Sequence, residues 1–167
     1  MHKLIRSSVI AALMLAALPA AQAASYSFSG VSDSGPLLGQ SLSGSLSFND
    51  AGRTGRGFEL FSLDSLDFVF AGQSYSLGNA DVAPDVSYLD GNFLGLSYSA
   101  SAGQTQLAFI AGTFEPGEAF LAYTHKGLDG AASIVYAPVP EPEAYAMLLA
   151  GLGLLGLAAR RRRVLSA

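Results

Sequence analysis

The stretch from Ser41 to Phe48 constrains the fold most, because it alternates without a slip between serine and an apolar or small residue. One face carries Leu42, Gly44, Leu46 and Phe48, and the other carries Ser41, Ser43, Ser45 and Ser47. This period of two is typical of a half-buried β-strand. Tyr26 and Phe28 lie in a similar alternating stretch, so we expect the two stretches to pair through a Gly- and Pro-containing connection at 35–39.

Further strands follow along the chain. The apolar face changes phase between Phe61 and Phe70, across Asp64 and Ser65, which predicts a bulge or a tight bend. Gly72-Gln73, Asp90-Gly91 and Pro116-Gly117 are turn sequences, and a closing strand is expected over 134–136. No window between 24 and 138 has apolar residues at helical spacing.

These patterns predict an all-β domain, an antiparallel β-sandwich of jelly-roll type, with a closed barrel as the alternative. The chain has no Cys, so a disulfide framework is excluded and stability must come from an apolar core or from ions. Ten phenylalanines are the expected main source of apolar area for that core.

The amino-terminal residues form the pattern of a secretory signal peptide. Lys3 and Arg6 precede an apolar run over 9–18, and Ala21 and Ala23 form a small-x-small cleavage site. There is no twin arginine, which favours the Sec route. We therefore predict a signal-peptide helix at 1–23 and a mature chain that begins at Ala24.

The carboxy-terminal residues have the pattern of a membrane segment. Val139-Pro140-Glu141-Pro142 is followed by an uncharged run over 144–159 and then by Arg160, Arg161, Arg162 and Arg163. A helix over that run would be about 24 Å long, short of the ~30 Å hydrocarbon core. The arginines would remain in the cytoplasm, so the domain at 24–138 would lie on the far side of a single transmembrane helix.

The order and spacing of these elements closely resemble the PEP-CTERM sorting tail of Gram-negative bacteria, over residues 139–163. The resemblance implies a temporary inner-membrane anchor that an exosortase-type enzyme recognises and removes. It implies delivery to the cell surface or to the extracellular, exopolysaccharide-containing matrix of a biofilm. Glu143-Ala144-Tyr145 departs mildly from the small polar residues and Trp often found there. The alternative is an ordinary single-pass anchor, with Pro-Glu-Pro as a stiff spacer.

The charge of the domain excludes one class of partner. Between 24 and 138 there are three basic residues against eleven acidic ones, which gives −8, compared with −4 for the whole chain. Such a surface repels phosphate backbones, so we expect no nucleic-acid partner. Cations and neutral polysaccharide remain compatible with it.

Candidate chemistry is sparse. His125 is the one histidine of the domain, which disfavours zinc, and it follows Ser32-Asp33-Ser34 in an order that a trypsin-like triad does not use. The carboxylates that a glycosidase would need cannot be paired from sequence; the candidates are Glu59, Asp64, Asp67, Glu115 and Glu118. No catalytic residue is predicted.

No cofactor is predicted either, but a structural calcium ion is retained as an alternative. Its weak candidate ligands are Asp81, Asp85 and Asp90, which are also ordinary turn residues.

We therefore expect an exported, non-enzymatic protein of the cell surface or extracellular matrix. The outward serine row would keep one face soluble, carry glycans or contact polysaccharide. Two alternatives stay open: a carbohydrate- or calcium-dependent adhesion module, and a small secreted hydrolase.

Overall fold

The computed structural model describes residues 23–140, together with 149 and 151–153. The first of these ranges contains nine β-strands and two short 3-10 helices, at Leu77–Asn79 and Pro116–Glu118. The strands are β1 (Ala23–Ser34), β2 (Ser41–Asn49), β3 (Phe58–Phe70), β4 (Gln73–Ser76), β5 (Asp85–Leu89), β6 (Asn92–Ala102), β7 (Thr105–Ile110), β8 (Phe120–His125) and β9 (Leu128–Pro138).

The strands close into a barrel. Neighbours follow the order β2-β1-β9-β8-β7-β6-β5-β3, and β3 pairs again with β2, which completes a ring of eight antiparallel strands with β4 beside β3. The all-β, antiparallel prediction is confirmed, but the sandwich of jelly-roll type is replaced by its alternative, the closed barrel. The physical reason lies in the 13-residue β3, whose second half pairs with β2 while its first half pairs with β5.

Several local predictions are confirmed. β1 and β2 pair antiparallel, and in β2 the alternating face buries Leu42, Leu46 and Phe48. The expected phase change in β3 is a bulge: Ser47 lies opposite Ser65, but Phe48 lies opposite Leu63, so Asp64 is the extra residue. This bulge lets both halves of β3 direct apolar side chains inward.

The turns follow the predictions in part. Asp90 and Gly91 form the two-residue turn between β5 and β6, both with positive φ, of 49° and 81°. The turn after β3 lies one residue earlier than predicted, at Ala71 and Gly72. Pro116 is part of a longer β7–β8 connection, which spans 111–119. The closing strand β9 is longer than predicted.

That β7–β8 connection packs on the outside of the barrel. The Gly112 N–H donates a 3.0 Å hydrogen bond to the Leu94 carbonyl oxygen. A Cβ at Gly95 would lie 3.2 Å from the Ala111 Cα and from the Ala119 Cβ, a tight contact, and the φ of Gly95 is 139°, so glycine suits the close approach of the connection to the wall. Leu94 and Ala119 are thereby buried outside the main core cluster.

Aromatic side chains fill the barrel interior. Six of the ten phenylalanines are buried: Phe28, Phe48, Phe68, Phe70, Phe93 and Phe109. Tyr75, Tyr88 and Tyr98 are buried with them. The expectation that all ten phenylalanines supply the core is corrected for Phe58, Phe114 and Phe120, which are exposed. The interior is a packed core, which is usual for an eight-stranded barrel.

The two predicted flanking helices fall largely outside the described residues. Residues 1–22 lie outside them, and of the apolar run 144–159 only 149 and 151–153 are described, in helical conformation. In the described part of the chain, no helix is both long and apolar enough to cross a membrane.

Candidate functional site

Both ends of the domain lie at the same end of the barrel, because β1 begins where β9 finishes. Tyr26 lies opposite Pro138 in the β1–β9 ladder, and Ala23 lies opposite Asn49 on the other side of β1. Ala23, the predicted last residue of the signal peptide, is therefore the first residue of β1. Ala21 lies outside the described residues.

The β1–β9 ladder continues one residue past the end of β9. The Val139 N–H donates a 2.8 Å hydrogen bond to the Ser25 carbonyl oxygen. Val139 is 44% exposed and Pro140 is also exposed. Of the predicted tail residues, Glu141, Pro142, Arg160, Arg161, Arg162 and Arg163 lie outside the described residues. The tail thus follows the barrel with no spacer.

An aromatic cluster supports this end of the barrel. The Tyr26 ring stacks on the Phe93 ring with centroids 4.1 Å apart, and its hydroxyl group lies 3.1 Å from that of Tyr88. Burial is the main reason why the pKa of Tyr88 is raised, and the hydrogen bond with the Tyr26 hydroxyl raises it further. The Arg53 guanidinium lies 5.2 Å from the centroid of the Tyr88 ring, within cation–π range.

Tyr136 joins β9 to the opposite wall. Its hydroxyl oxygen accepts a 3.3 Å hydrogen bond from the Leu96 N–H, and its ring lies 5.2 Å from that of Phe93. Burial raises the pKa of Tyr136, so the phenol stays neutral. The strand that leads into the tail is therefore fixed to β6 as well as to β1.

The candidate carboxylates Glu59 and Glu118 bind their own loops. Glu59 accepts hydrogen bonds from the Thr54 N–H and hydroxyl, at 2.7 and 2.9 Å, and from a second loop N–H. Glu118 accepts from the Thr113 and Phe114 N–H groups, at 2.7 and 2.8 Å. These backbone donors lower the pKa of both carboxylates, whereas a general acid needs a raised pKa.

Of the remaining acids in the glycosidase set, Asp64 and Asp67 line one surface depression together with Leu66 and Ser76. Asp64 occupies the bulge and Asp67 the outward face of β3, and both are exposed. Glu115 lies in the β7–β8 connection, where its carbonyl accepts from the Glu118 N–H.

The segment at 32–34 is structural. Ser32 is buried, and its Oγ lies 2.7 Å from the Tyr123 hydroxyl oxygen. The Asp33 carboxylate accepts a 2.7 Å hydrogen bond from the Ser133 N–H. His125 is hydrogen-bonded elsewhere: its Nδ1 lies 2.8 Å from the Thr105 hydroxyl oxygen.

The three calcium candidates do not form a common group with one another. Asp81 accepts a 3.1 Å hydrogen bond from the Ser101 hydroxyl, and Asp90 accepts a 2.7 Å one from the Gly57 N–H. Asp85 lies in β5, where its Oδ1 is buried without a partner. Between 23 and 140, no three His, Asp or Glu side chains come together as a metal-binding group.

A small cavity lies in the barrel mouth far from the termini. Its volume is about 150 Å³, and its lining includes Leu37, Phe70, Gln73, Tyr75, Thr105 and His125. Tyr75 is only 3% exposed, yet its hydroxyl group has no hydrogen-bond partner among the described residues. The lining carries no carboxylate, ammonium or guanidinium group. The cavity is therefore uncharged whenever the His125 imidazole is neutral.

The outward serines form an array across four strands. Ser25, Ser47 and Ser65 lie in one cross-strand row, and the next row is Ser27, Ser45, Asp67 and Ser76. The hydroxyl groups of Ser47 and Ser65 are 2.6 Å apart. The predicted serine row of β2 is therefore the centre of a wider hydroxyl surface.

Sequence analysis missed the residues that hold the tail, above all Ser25. Its contact with Val139 depends on the register between the first and last strands, which no local pattern gives. One signal was available: Pro138, Pro140 and Pro142 alternate with residues that have an N–H, which marks an extended segment with donors on one edge only.

The comparisons with known proteins support the predicted sorting tail. A family model described as the PEP-CTERM protein-sorting motif matches residues 138–163. No curated protein and no solved structure matches the chain. The segment that leaves the barrel beside Ser25 therefore carries the PEP-CTERM protein-sorting motif, and the chain is recognised through that tail as an exosortase substrate.

Proposed function

We propose that this chain is a non-enzymatic protein of the cell surface or extracellular matrix of a Gram-negative bacterium. The tail would hold it in the inner membrane until the exosortase-type enzyme removes that tail. The observation that carries the proposal is the position of the motif: the ring of strands ends at Pro138, and its last ladder hydrogen bond is made by Val139. Cleavage beyond Val139 would leave every strand of the barrel in place.

The route of export is part of the same proposal. A Sec signal peptide at 1–23 would be removed after Ala23, and the run 144–159 would span the membrane with Arg160 to Arg163 in the cytoplasm. The barrel would then lie on the periplasmic side, where its paired strands and packed aromatic core need no disulfide.

The proposal that the protein is not an enzyme rests on how its candidate groups are used. Glu59 and Glu118 have lowered pKa values because backbone N–H groups bind them. The His125 Nδ1 is paired with Thr105 rather than with a carboxylate. A hydrolase would require one of these groups to leave its structural role.

A matrix partner would be a neutral polysaccharide. The serine array presents hydroxyl groups that donate and accept hydrogen bonds, with Asp67 as the charged residue in its second row. The domain charge of −8 opposes binding to polyanions.

The test is the intact mass of the protein recovered outside its host. We expect material that begins at Ala24 and lacks the arginines at 160–163. The Glu141→Ala variant should retain the tail, whereas Glu143→Ala, the loss of the same charge two residues later, should be processed normally. External material that still carries its final arginines, or identical handling by a host without the processing enzyme, would contradict the proposal.

A second candidate is a sugar-binding module, favoured by the cavity in the far barrel mouth. Its polar side chains include the Tyr75 hydroxyl, the Gln73 amide and the His125 imidazole, with no carboxylate, ammonium or guanidinium group. Barrel mouths are common ligand sites. The test is NMR titration with glucose, galactose and N-acetylglucosamine. Saturable shifts around the cavity that Gln73→Ala removes would support it, and no shift at millimolar sugar would exclude these ligands.

A further inference from the structure

In extended form, the sorting segment would have backbone N–H groups on only one edge. From Pro138 to Pro142 every second residue is proline, so Val139 and Glu141 carry the only N–H groups. In an extended segment, residues two apart direct their N–H and C=O groups to the same edge. A partner that pairs with this segment as a strand, and needs its donors, must approach by that edge.

That edge is the one that β1 occupies. The Val139 N–H is bonded to the Ser25 carbonyl oxygen at 2.8 Å, and by the β1–β9 register Ala137 lies opposite Ser27. The edge that faces away from β1 has Pro138 and Pro140 at the motif, and neither has an N–H to offer. The folded barrel thus covers the donor edge of this segment at Val139.

A processing enzyme binds the peptide around its scissile bond in extended form, and strand pairing is a common means of doing so. Ser25 and such an enzyme would use the same N–H group of Val139. Because there is no spacer between β9 and the motif, the enzyme cannot reach a free copy of this group while the contact is closed.

We propose that the Ser25–Val139 contact is a latch, and that the processing enzyme engages the motif only after this contact opens. The proposal rests on the proposed function, since it concerns regulation of the same processing event. One net hydrogen bond shifts an equilibrium by about two- to tenfold. A single hydrogen bond at the end of a strand opens readily, because local opening there costs little free energy. The latch therefore slows processing of the native protein without preventing it.

A disulfide placed across the contact tests the latch. The chain has no cysteine, and hydrogen-bonded antiparallel pairs have Cα atoms about 5.5 Å apart, within disulfide range. The variant Ser25→Cys/Val139→Cys would lock the contact in the oxidising periplasm. The matched control is Ser27→Cys/Ala137→Cys, which locks the same two strands one contact further from the motif and leaves Val139 free to open.

The measurement is the fraction of each full-length protein that has lost its tail in the native host, by intact mass. We expect the locked variant to be processed at least about tenfold more slowly. The Ser27→Cys/Ala137→Cys control should resemble the native protein. The single Val139→Cys variant measures the effect of the substitution in the motif by itself, and reductant added to the medium should restore processing of the locked variant to the rate of that single variant.

Two results would overturn the latch. Native-rate processing of the locked variant would show that the enzyme does not need this edge, and equal retardation of both double variants would show that the whole seam must open rather than this contact. Failure of the proposed function is distinguishable, because the unmodified protein would then keep its tail.

Discussion

The Tyr123 hydroxyl group on β8 donates a 2.6 Å hydrogen bond to the carbonyl oxygen of Ser34, at the end of β1. The same phenol oxygen accepts a 3.1 Å hydrogen bond from the Leu37 N–H in the β1–β2 connection. It also contacts the buried Ser32 hydroxyl. One side chain therefore holds this connection against the barrel mouth.

Replacing this phenol should be costly. We expect Tyr123→Phe to lower the free energy of unfolding by about 1–3 kcal/mol, because the Leu37 N–H and the Ser34 carbonyl lose a partner at a part-buried site. Tyr75→Phe is the matched control, since the Tyr75 hydroxyl has no hydrogen-bond partner among the described residues; its change should be under about 0.5 kcal/mol. Urea unfolding of both variants is the measurement, and equal losses would contradict the assignment.

Gly44 should be required for the close approach of two strands. A Cβ at this position would lie under 3.0 Å from the Phe68 Cβ and the Asp67 carbonyl oxygen. We expect Gly44→Ala to destabilise the barrel by about 1–3 kcal/mol, as overpacking does. Gly78→Ala is the control, because the nearest atom to its Cβ would be the Ser76 Oγ at 3.7 Å. Thermal unfolding that ranks the two variants equally would contradict this prediction.

The local features of the fold were predictable because they depend on nearest neighbours in sequence. The alternation in β2 identified its buried face, and the phase change at Asp64 identified the bulge. The exposure of Phe58 follows from the same logic, since it lies three residues before Phe61 and so on the opposite face of β3. Sequence alternation thus decides which aromatics enter the core once the strand limits are known.

Barrel closure was not predictable, because it depends on pairings between distant residues. The β1–β9 register places Tyr26 opposite Pro138, and no local pattern distinguishes this from two separate sheets. The same holds for the tail: its motif was legible in the sequence, but its contact with Ser25 appears only when the last strand closes the ring. The capping roles of Glu59 and Glu118 were missed because each depends on a loop conformation.

The Glu59 carboxylate should make the stability of its loop depend on pH. Its pKa in the folded state is below the ordinary 4.5, chiefly because the Thr54 N–H donates to it. A lowered folded-state pKa stabilises the protein above the unfolded pKa, and this contribution is lost as pH falls through the folded value. We expect native protein to melt above Glu59→Gln near neutral pH and the difference to shrink below about pH 4.5.

The control for this comparison is Asp64→Asn, which removes a charge of the same sign from the exposed bulge on β3. Its melting temperature relative to the native protein should not follow the profile of Glu59→Gln. A Glu59→Gln difference that stays constant down to about pH 3 would contradict the assigned role of the carboxylate.

Truncation should locate the end of the folded unit at Val139. We expect a chain of residues 24–139 to unfold with the same free energy as the chain of residues 24–167, within about 0.5 kcal/mol, because no strand lies beyond Pro138 in the described residues. A chain ending at Ile134 should lose at least about 3 kcal/mol. It lacks Tyr136, whose ring lies 5.8 Å from that of Phe28 and whose hydroxyl oxygen binds the Leu96 N–H.

The full-length Tyr136→Ala variant separates this side chain from the rest of the strand and should account for most of the loss. Urea unfolding is the measurement. A large loss on ending the chain at Val139 would show that the tail stabilises the barrel and that processing weakens it.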